Sequence, residues 1–181
     1  MRTIILLAEG FEECEALTPA DVLRRAGVEV SLVSISDELV VTGAHGIRVL
    51  CDVLLEELDG TVPDVLILPG GLKGTEALGA SQQVKALIEK SVNAGKYLGA
   101  ICAAPSVLGK MGYLDGRKIA CYPGFEKYME RANKTGNKVE VDGMFITAEG
   151  MGVSLEFALK ITELLFDADV SKDIAEQIRK A

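Results

Sequence analysis

The chain of 181 residues is 49% hydrophobic and 25% charged, which is typical of a soluble globular domain large enough to bury a core. Its net charge of −8, without any run of Lys and Arg, argues against nucleic acid as a partner. No stretch approaches the about 18 apolar residues of a membrane span, and the apolar start is too short for a secretory signal, so we expect no membrane association.

The chain opens with a β-α-β pattern. Residues 3–8 form a continuous apolar run, as expected of a central parallel strand that is covered on both faces. Residues 12–26 predict a helix, with acidic residues in the first turn, basic residues in the last and Gly27 as its stop. Pro19 inside this helix predicts a kink or a split start, and residues 28–35 predict the second strand.

A less regular region follows. We expect residues 40–41 and 47–50 to form short strands around residues 42–46, as a hairpin or an excursion at the sheet edge. Residues 64–68 predict a third buried strand, which ends at Pro69-Gly70-Gly71.

The rest of the chain continues the alternation of helices and strands. The predicted helices are residues 81–94, a helix that follows Cys102 and runs to about residue 111, residues 124–132 and residues 153–166, and the last residues to 181 form a polar amphipathic tail. The predicted strands are residues 97–101, residues 118–120, and residues 139–141 and 145–147, which flank a hairpin turn at Asp142-Gly143.

This alternation predicts an α/β fold, a doubly wound and mostly parallel sheet with helices on both faces. No repeat or linker divides the chain, so we expect a single domain over residues 1–181. Ligands bind such sheets at the carboxyl ends of the strands. Four breaks lie there, at Glu9-Gly10, Pro69-Gly70-Gly71, Cys102 and Glu149-Gly150.

The break at Cys102 has the pattern of a nucleophile elbow. Ala100, Cys102 and Ala104 place small residues on both sides of the cysteine, as a sharp turn from strand to helix requires. Helix N–H groups at such a turn would lower the cysteine pKa and favour the thiolate. The alternative is a small buried cysteine in a hydrophobic strand.

Gly70 and Gly71 end the neighbouring strand. Their backbone N–H groups could face a developing negative charge as an oxyanion pocket, or the two glycines could form only a tight turn. The spacing Gly70-Gly71-x-x-Gly74 matches neither the Walker nor the dinucleotide fingerprint, and we expect no cofactor.

The cysteines do not predict a metal site. Cys14, Cys51, Cys102 and Cys121 contain no Cys-x-x-Cys spacing, and His45 is the only histidine, so we expect neither a zinc site nor a disulfide framework. A reducing, cytoplasmic compartment fits this cysteine content best.

Several motifs together resemble the ThiJ/PfpI superfamily, and within it the parkinsonism-associated protein deglycase (glyoxalase III-like) branch. The resemblance spans nearly the whole chain and rests on residues 8–15 (AEGFEECE), Pro19, 21–27 (DVLRRAG), 68–71 (LPGG), 100–105 (AICAAP) and 150–159 (GMGVSLEFAL). It implies a flavodoxin-like sandwich, a homodimer, and a reactive cysteine at Cys102 with a neighbouring carboxylate, Glu15, from the first helix.

The role of Glu15 comes from the resemblance, because spacing alone does not distinguish it from Glu9, Glu12 and Glu13. A carboxylic acid beside a thiolate has its own pKa raised and can donate a hydrogen bond to the sulfur. The residues alone favour an exposed first-turn glutamate that interacts with the helix dipole.

The chain also departs from the resemblance. Tyr122 stands where many relatives carry a histidine, and Ala103 follows Cys102 where the protease branch has histidine. His45, the only imidazole, is expected to be a surface or edge residue unless it reaches the pocket as a base. Peptide hydrolysis by a Cys-His dyad is therefore not expected.

Two functions remain open. In the first, an enzyme resembles the cofactor-independent glyoxalases and deglycases: Cys102 attacks a small reactive carbonyl such as methylglyoxal or an early glycation adduct, Glu15 moves a proton, and N–H groups near Gly71 and Ala103 stabilise the oxyanion. In the second, a redox-responsive stress protein or chaperone, Cys102 is oxidised to a sulfinic acid without significant turnover. The implied homodimer would form through the first helix and the edge segment after it.

Overall fold

The computed structural model describes residues 1–180. Its strands are β1 (Arg2–Leu7), β2 (Glu29–Ser34), β3 (Val40–Thr42), β4 (Arg48–Leu50), β5 (Val53–Leu54), β6 (Val65–Leu68), β7 (Tyr97–Ile101), β8 (Lys118–Ile119), β9 (Asn133–Lys134), β10 (Val139–Asp142) and β11 (Phe145–Ala148). Its helices are α1 (Glu13–Arg25), α2 (Leu72–Ala80), α3 (Gln82–Asn93), α4 (Pro105–Lys110), α5 (Ser154–Leu165) and α6 (Ala168–Gln177), with 3-10 turns at Leu55–Glu57, Glu126–Tyr128 and Met151–Val153.

Seven strands form the central sheet, in the order β10-β11-β7-β6-β1-β2-β5. All neighbouring pairs are parallel except β10 with β11. The remaining strands form two separate pairs, β3 with β4 and β8 with β9. The order reverses at β1, which places strand ends from both halves of the sheet at one edge. The predicted doubly wound α/β fold is confirmed.

The helices cover both faces of this sheet. Alternate residues of β1 divide between the two sides, so that Ile4 lies in one core cluster and Ile5 in the other. Helices α2, α3 and α4 pack on the first side, whereas α1 and α5 pack on the second. Gly99 in β7 allows α5 to approach closely, because a Cβ there would lie 2.9 Å from the Phe157 ring.

Three differences from the predicted elements have physical reasons. Helix α2 was not predicted, because its glycines, Gly74 and Gly79, have low helix propensity and only tertiary packing compensates for them. The helix predicted over residues 124–132 is only the 3-10 turn Glu126–Tyr128, since the chain turns inward to bury Met129. The amphipathic tail forms α6, which begins at the N-cap Asp167.

Helix α1 runs without interruption through Pro19, so the split start is not observed. Within residues 1–180, no helix combines the length and the apolar character needed to cross a bilayer.

Candidate active site

Cys102 lies at a sharp turn immediately after β7. Its φ of 65° is in the left-handed region, which costs a non-glycine residue strain and is common at functional sites. Two hydrogen bonds hold this conformation: the Cys102 N–H donates to the Ala148 carbonyl at 2.9 Å, and the Tyr122 N–H donates to the Cys102 carbonyl at 2.9 Å. Neighbouring strand and loop backbone therefore stabilise the strained conformation of Cys102.

The first turn of α1 brings one carboxyl group to the thiol. Glu15 is only 1% exposed, its Oε2 accepts the Gly70 N–H at 2.8 Å, and its carboxyl hydrogen bonds with the Cys102 thiol. Of the four glutamates that follow β1, Glu15 is the one that forms this contact, because it lies on the side of α1 that faces the ends of β6 and β7.

The pKa values of the pair differ from the expectation for Cys102. Burial, with a smaller effect from the charge of Glu12, raises the pKa of Glu15 to about 7. Burial and the Glu15 carboxylate also raise the pKa of the Cys102 thiol to about 12, against the opposing effect of the Ala103 and Gly71 N–H groups. The prediction of a thiol pKa lowered by a helix terminus is therefore wrong, since α4 is short and desolvation outweighs its dipole.

The two shifts describe groups that share a proton. An ionised Glu15 raises the thiol pKa by its charge, whereas a protonated Glu15 removes that charge and can donate to the sulfur. The pair with a single proton can thus be written as a carboxylate beside a thiol or as a carboxylic acid beside a thiolate. Deprotonation of Glu15 near pH 7 produces this state.

The backbone donors divide between the two side chains. The Gly71 and Ala103 N–H groups interact with the Cys102 sulfur, where they can also stabilise an oxyanion formed next to it. The Gly70 N–H donates instead to Glu15, so it cannot serve the oxyanion as predicted. Gly70 is required for another reason, because a Cβ there would lie 2.7 Å from the Cys102 Cβ.

Cys102 opens into a cavity of about 660 Å³. The sequence-predicted residues Tyr122, Glu15, Gly71 and Ala103 lie in its wall. The others that line it were not predicted as pocket residues, and they are Glu9, Gly10, Glu12, Thr42, Gly43, Ala44, Leu72, Lys73, Phe125 and Met151. Most of these residues follow the breaks at the strand ends, and these breaks were the one feature of the sequence from which their place in the cavity could be predicted.

His45 is exposed and does not line this cavity, so it is the surface residue that the sequence favours, and the alternative of a pocket residue is not observed. The imidazole Nδ1 of His45 lies 2.9 Å from Glu13 Oε2 and 3.4 Å from Glu12 Oε2. The backbone N–H of His45 donates to Glu13 Oε1 at 2.7 Å. Glu13 and Glu12 raise the pKa of the exposed His45. These bonds hold the turn between β3 and β4 and keep the imidazole away from Cys102.

Glu12, Glu13 and His45 are the one group of potential metal ligands in residues 1–180, with three ligand atoms within 4.8 Å of one another. Both Glu13 oxygens already accept hydrogen bonds from His45. The group therefore acts as the hydrogen-bonded base of the β3–β4 turn.

Comparison with known sequences identifies relatives over most of the chain. Residues 1–164 match the DJ-1/PfpI family. Protein dj-1beta of Drosophila melanogaster is 36% identical over 175 residues, which are 96% of this chain and 94% of that protein. The glutathione-independent glyoxalase DJR-1.2 of Caenorhabditis elegans is 36% identical over 163 residues, which are 90% of this chain and 87% of that protein. Protein DJ-1 homolog B of Arabidopsis thaliana is 35% identical, but the chain spans only 40% of its length.

Solved structures agree with these relatives. The crystal structure of Drosophila melanogaster DJ-1beta superposes with a TM-score of 0.95 at 35% identity and covers 99% of this chain and 98% of its own. Oxidized Toxoplasma gondii DJ-1 superposes with a TM-score of 0.94 at 33% identity, with the same coverage of both chains.

Proposed function

Since the chain belongs to the DJ-1/PfpI family, we propose that it converts small reactive carbonyl compounds by covalent catalysis at Cys102, without a cofactor. The observation that carries this proposal is the buried Glu15 carboxyl against the thiol, at the floor of a cavity whose backbone N–H groups are directed at the sulfur. A nucleophile, a proton carrier and oxyanion donors then meet within reach of one carbonyl group.

The first step is addition of the thiol to the aldehyde of methylglyoxal. The Glu15 carboxylate takes the thiol proton as the sulfur–carbon bond forms, and the Gly71 and Ala103 N–H groups stabilise the alkoxide. Glu15 returns that proton to the alkoxide and so completes a hemithioacetal.

The second step is an isomerisation. Glu15, again a carboxylate, removes the proton from the first carbon of the adduct and delivers it to the second, which gives a lactate thioester. Water from solvent cleaves the thioester, releases lactate and restores the thiol. Methylglyoxal and water together contain the same atoms as lactic acid, so the reaction needs no oxidant or reductant.

The test is methylglyoxal consumption with lactate quantified as the product. Wild-type protein should form one lactate for each methylglyoxal consumed, and Cys102→Ser should form none above the uncatalysed rate. Cys121→Ser is the matched control, because Cys121 is buried outside the cavity. Consumption without lactate, or equal rates in both variants, would exclude the proposed reaction.

Early glycation adducts are a second substrate class for the same site. In a methylglyoxal–amine adduct the hemiaminal carbon carries the amine; the Cys102 sulfur bonds to that carbon as its bond to nitrogen breaks, and the amine leaves with the thiol proton. The product is the same hemithioacetal, so the later steps are unchanged. The relative named a glutathione-independent glyoxalase supports the free carbonyl as the first substrate to assay.

Redox sensing is the second candidate function, and a specific feature of the site favours it. A Glu15 with a pKa of about 7 is half protonated at neutral pH, and with the Gly71 and Ala103 N–H groups it offers donors for the oxygens of a sulfinic acid on Cys102. Mass spectrometry after peroxide treatment should then find a stable addition of two oxygen atoms at Cys102 in wild-type protein, and less of it in Glu15→Leu.

We further propose a homodimer that forms through α1 and the β3–β4 hairpin. A groove there is lined by the exposed Cys14 and Ile47, together with Leu17, Leu155 and Ile178, and such apolar grooves typically mark contacts between proteins. Cys51 is buried within the protomer, so it lies beneath the hairpin rather than on this surface. Four free cysteines support a reducing, cytoplasmic compartment.

A further inference from the structure

Apolar side chains surround the entrance to the Cys102 cavity. Leu72 is 64% exposed, Met151 54% and Tyr122 52%, and all three line the cavity together with Phe125. We call these four residues the apolar mouth. Large side chains exposed to this degree cost free energy in water, and their convergence on one nucleophile is the pattern of a binding surface.

Part of the apolar mouth is already ordered by aromatic contacts. The rings of Tyr122 and Phe125 lie edge to face with centroids 6.4 Å apart, and Phe125 contacts Tyr128 with centroids 5.7 Å apart. Tyr122 is also fixed by its backbone hydrogen bond to Cys102. A ligand group that enters here meets a wall that needs little further ordering, which favours affinity.

The size and charge of the cavity restrict what can fill it. Its volume of about 660 Å³ lies within the 300–1,000 Å³ that enclose drug-sized ligands, far more than a three-carbon dicarbonyl occupies. Glu9 and Glu12 contribute carboxylates to its wall, against the single basic residue Lys73. An anionic substituent would therefore be repelled, and the apolar side chains would remain uncovered.

We propose that the apolar mouth selects α-oxoaldehydes in which the ketone carbon next to the reacting aldehyde carries a bulky, uncharged, apolar substituent, such as an aryl or branched alkyl group, over methylglyoxal. The substituent packs against Leu72, Met151 and the Tyr122 ring while the aldehyde reaches the Cys102 sulfur. This substrate class rests on the proposed carbonyl chemistry, but the selection itself can be measured without turnover.

The first measurement is alkylation of Cys102 by iodoacetamide and by N-phenyl-iodoacetamide, followed by peptide mass spectrometry. In both reactions sulfur bonds to the reagent methylene carbon and iodide leaves, so the reagents differ only in the apolar group. Glutathione provides the intrinsic ratio of the two rate constants. We expect the ratio at Cys102 to exceed that of glutathione by at least about tenfold, as hydrophobic pockets discriminate apolar groups. A ratio equal to that of glutathione would overturn the proposal.

The variant for this test is Leu72→Ser with Met151→Ser, since both side chains are exposed and neither contributes to the core. It should bring the ratio of the two reagents close to the glutathione value while leaving the iodoacetamide rate within about threefold. Leu39→Ser is the matched control, because Leu39 is exposed but lies outside the cavity. An equal loss with both reagents in the double variant would indicate a structural effect and contradict selection by the mouth.

The second measurement compares kcat/KM for phenylglyoxal and methylglyoxal. We expect phenylglyoxal to be preferred by about tenfold in wild-type protein and the preference to disappear in the double variant. If neither compound is turned over but the alkylation preference is present, the carbonyl reaction is refuted and selection of apolar electrophiles stands. If methylglyoxal is turned over and no apolar preference is found in either measurement, the carbonyl reaction stands and the role of the mouth is refuted.

Discussion

At the scale of single residues, the site is organised by a carboxyl group and a thiol that share a proton. Burial raises the pKa of Glu15 to about 7, and we expect Cys102 to react from the state in which the pair has lost its first proton. The rate of Cys102 alkylation by iodoacetamide should therefore rise with pH through an inflection near 7. Stopped-flow or mass-spectrometric rates between pH 5.5 and 9 measure this profile.

Substitution of Glu15 provides the control for that profile. Glu15→Gln removes the titrating group, so the inflection near pH 7 should vanish and methylglyoxal turnover should fall by at least about 10²-fold, as for a lost general acid–base. Glu12→Gln should keep the inflection but move it to lower pH, because the charge of Glu12 raises the pKa of Glu15. An unchanged inflection in Glu15→Gln would assign the titration to another group.

The same carboxyl group makes stability depend on pH. Its pKa is raised in the fold from 4.5 to about 7, so its stabilising contribution is complete below pH 4.5 and is lost as the pH rises through 7. Between pH 5.5 and 8.5 the loss is on the order of 2 kcal/mol. Urea unfolding should show a decrease of that size in wild-type protein relative to Glu15→Gln, in which the site has no charge to bury.

At the scale of elements, the β3–β4 turn depends on a glutamate from another part of the chain. Glu13 Oε1 accepts hydrogen bonds from the backbone N–H groups of His45 and Ile47 at 2.7 and 3.4 Å. Burial tends to raise the pKa of Glu13, but the hydrogen bonds outweigh this effect, so the pKa lies below its usual value. Glu13→Leu should accelerate amide hydrogen exchange throughout residues 43–47.

His45→Ala is the matched comparison for this turn. It removes the imidazole but keeps both backbone N–H donors to Glu13, so exchange should increase less than in Glu13→Leu. Because the pKa of His45 is raised, the imidazole contribution should be present below pH 6.5 and lost as the pH rises through that raised pKa. Equally fast exchange in both variants would show that the His45 imidazole, rather than the backbone hydrogen bonds to Glu13, holds the turn.

Helix α6 is attached to the molecule by a small apolar cluster. Ile174 is buried against Val22, Ala158 and Leu159, which connects α6 to α1 and α5. Ile174→Ala should reduce the free energy of unfolding by about 2–5 kcal/mol, the usual loss for a buried isoleucine. Lys172→Ala on the exposed side of α6 should change it by less than about 0.5 kcal/mol. Urea unfolding of both variants distinguishes a docked helix from a loosely attached one.

At the scale of the whole molecule, we expect two copies to cover the groove between α1 and the β3–β4 hairpin. Sedimentation equilibrium at micromolar concentration should give twice the protomer mass of 19.3 kDa. Ile47→Asp places a charge in the groove and should shift the distribution toward the monomer, whereas Phe166→Ser, exposed elsewhere, should not. A monomeric mass for the wild-type protein would contradict the proposed homodimer.

The sequence by itself determined the family, the doubly wound fold and the strands that compose its centre. These features depend on local patterns: apolar runs such as residues 64–68, glycine stops such as Gly27, and the small residues that flank Cys102. The sequence did not predict elements with weak local signals. Helix α2 is an example, because its glycines oppose helix formation until the sheet packs against it.

The family resemblance named Glu15, but only the tertiary structure shows that its carboxyl group contacts the Cys102 thiol and how burial shifts the pKa values of both groups. Sequence patterns left four glutamates as alternatives, because the choice depends on the side of α1 that faces the ends of β6 and β7. The raised pKa of the Cys102 thiol depends on burial and on a charge distant in sequence, neither of which a local motif contains. The apolar mouth likewise joins Leu72 at the start of α2, Tyr122 after β8 and Met151 in the 3-10 turn after β11, three segments that come together only after the sheet has formed.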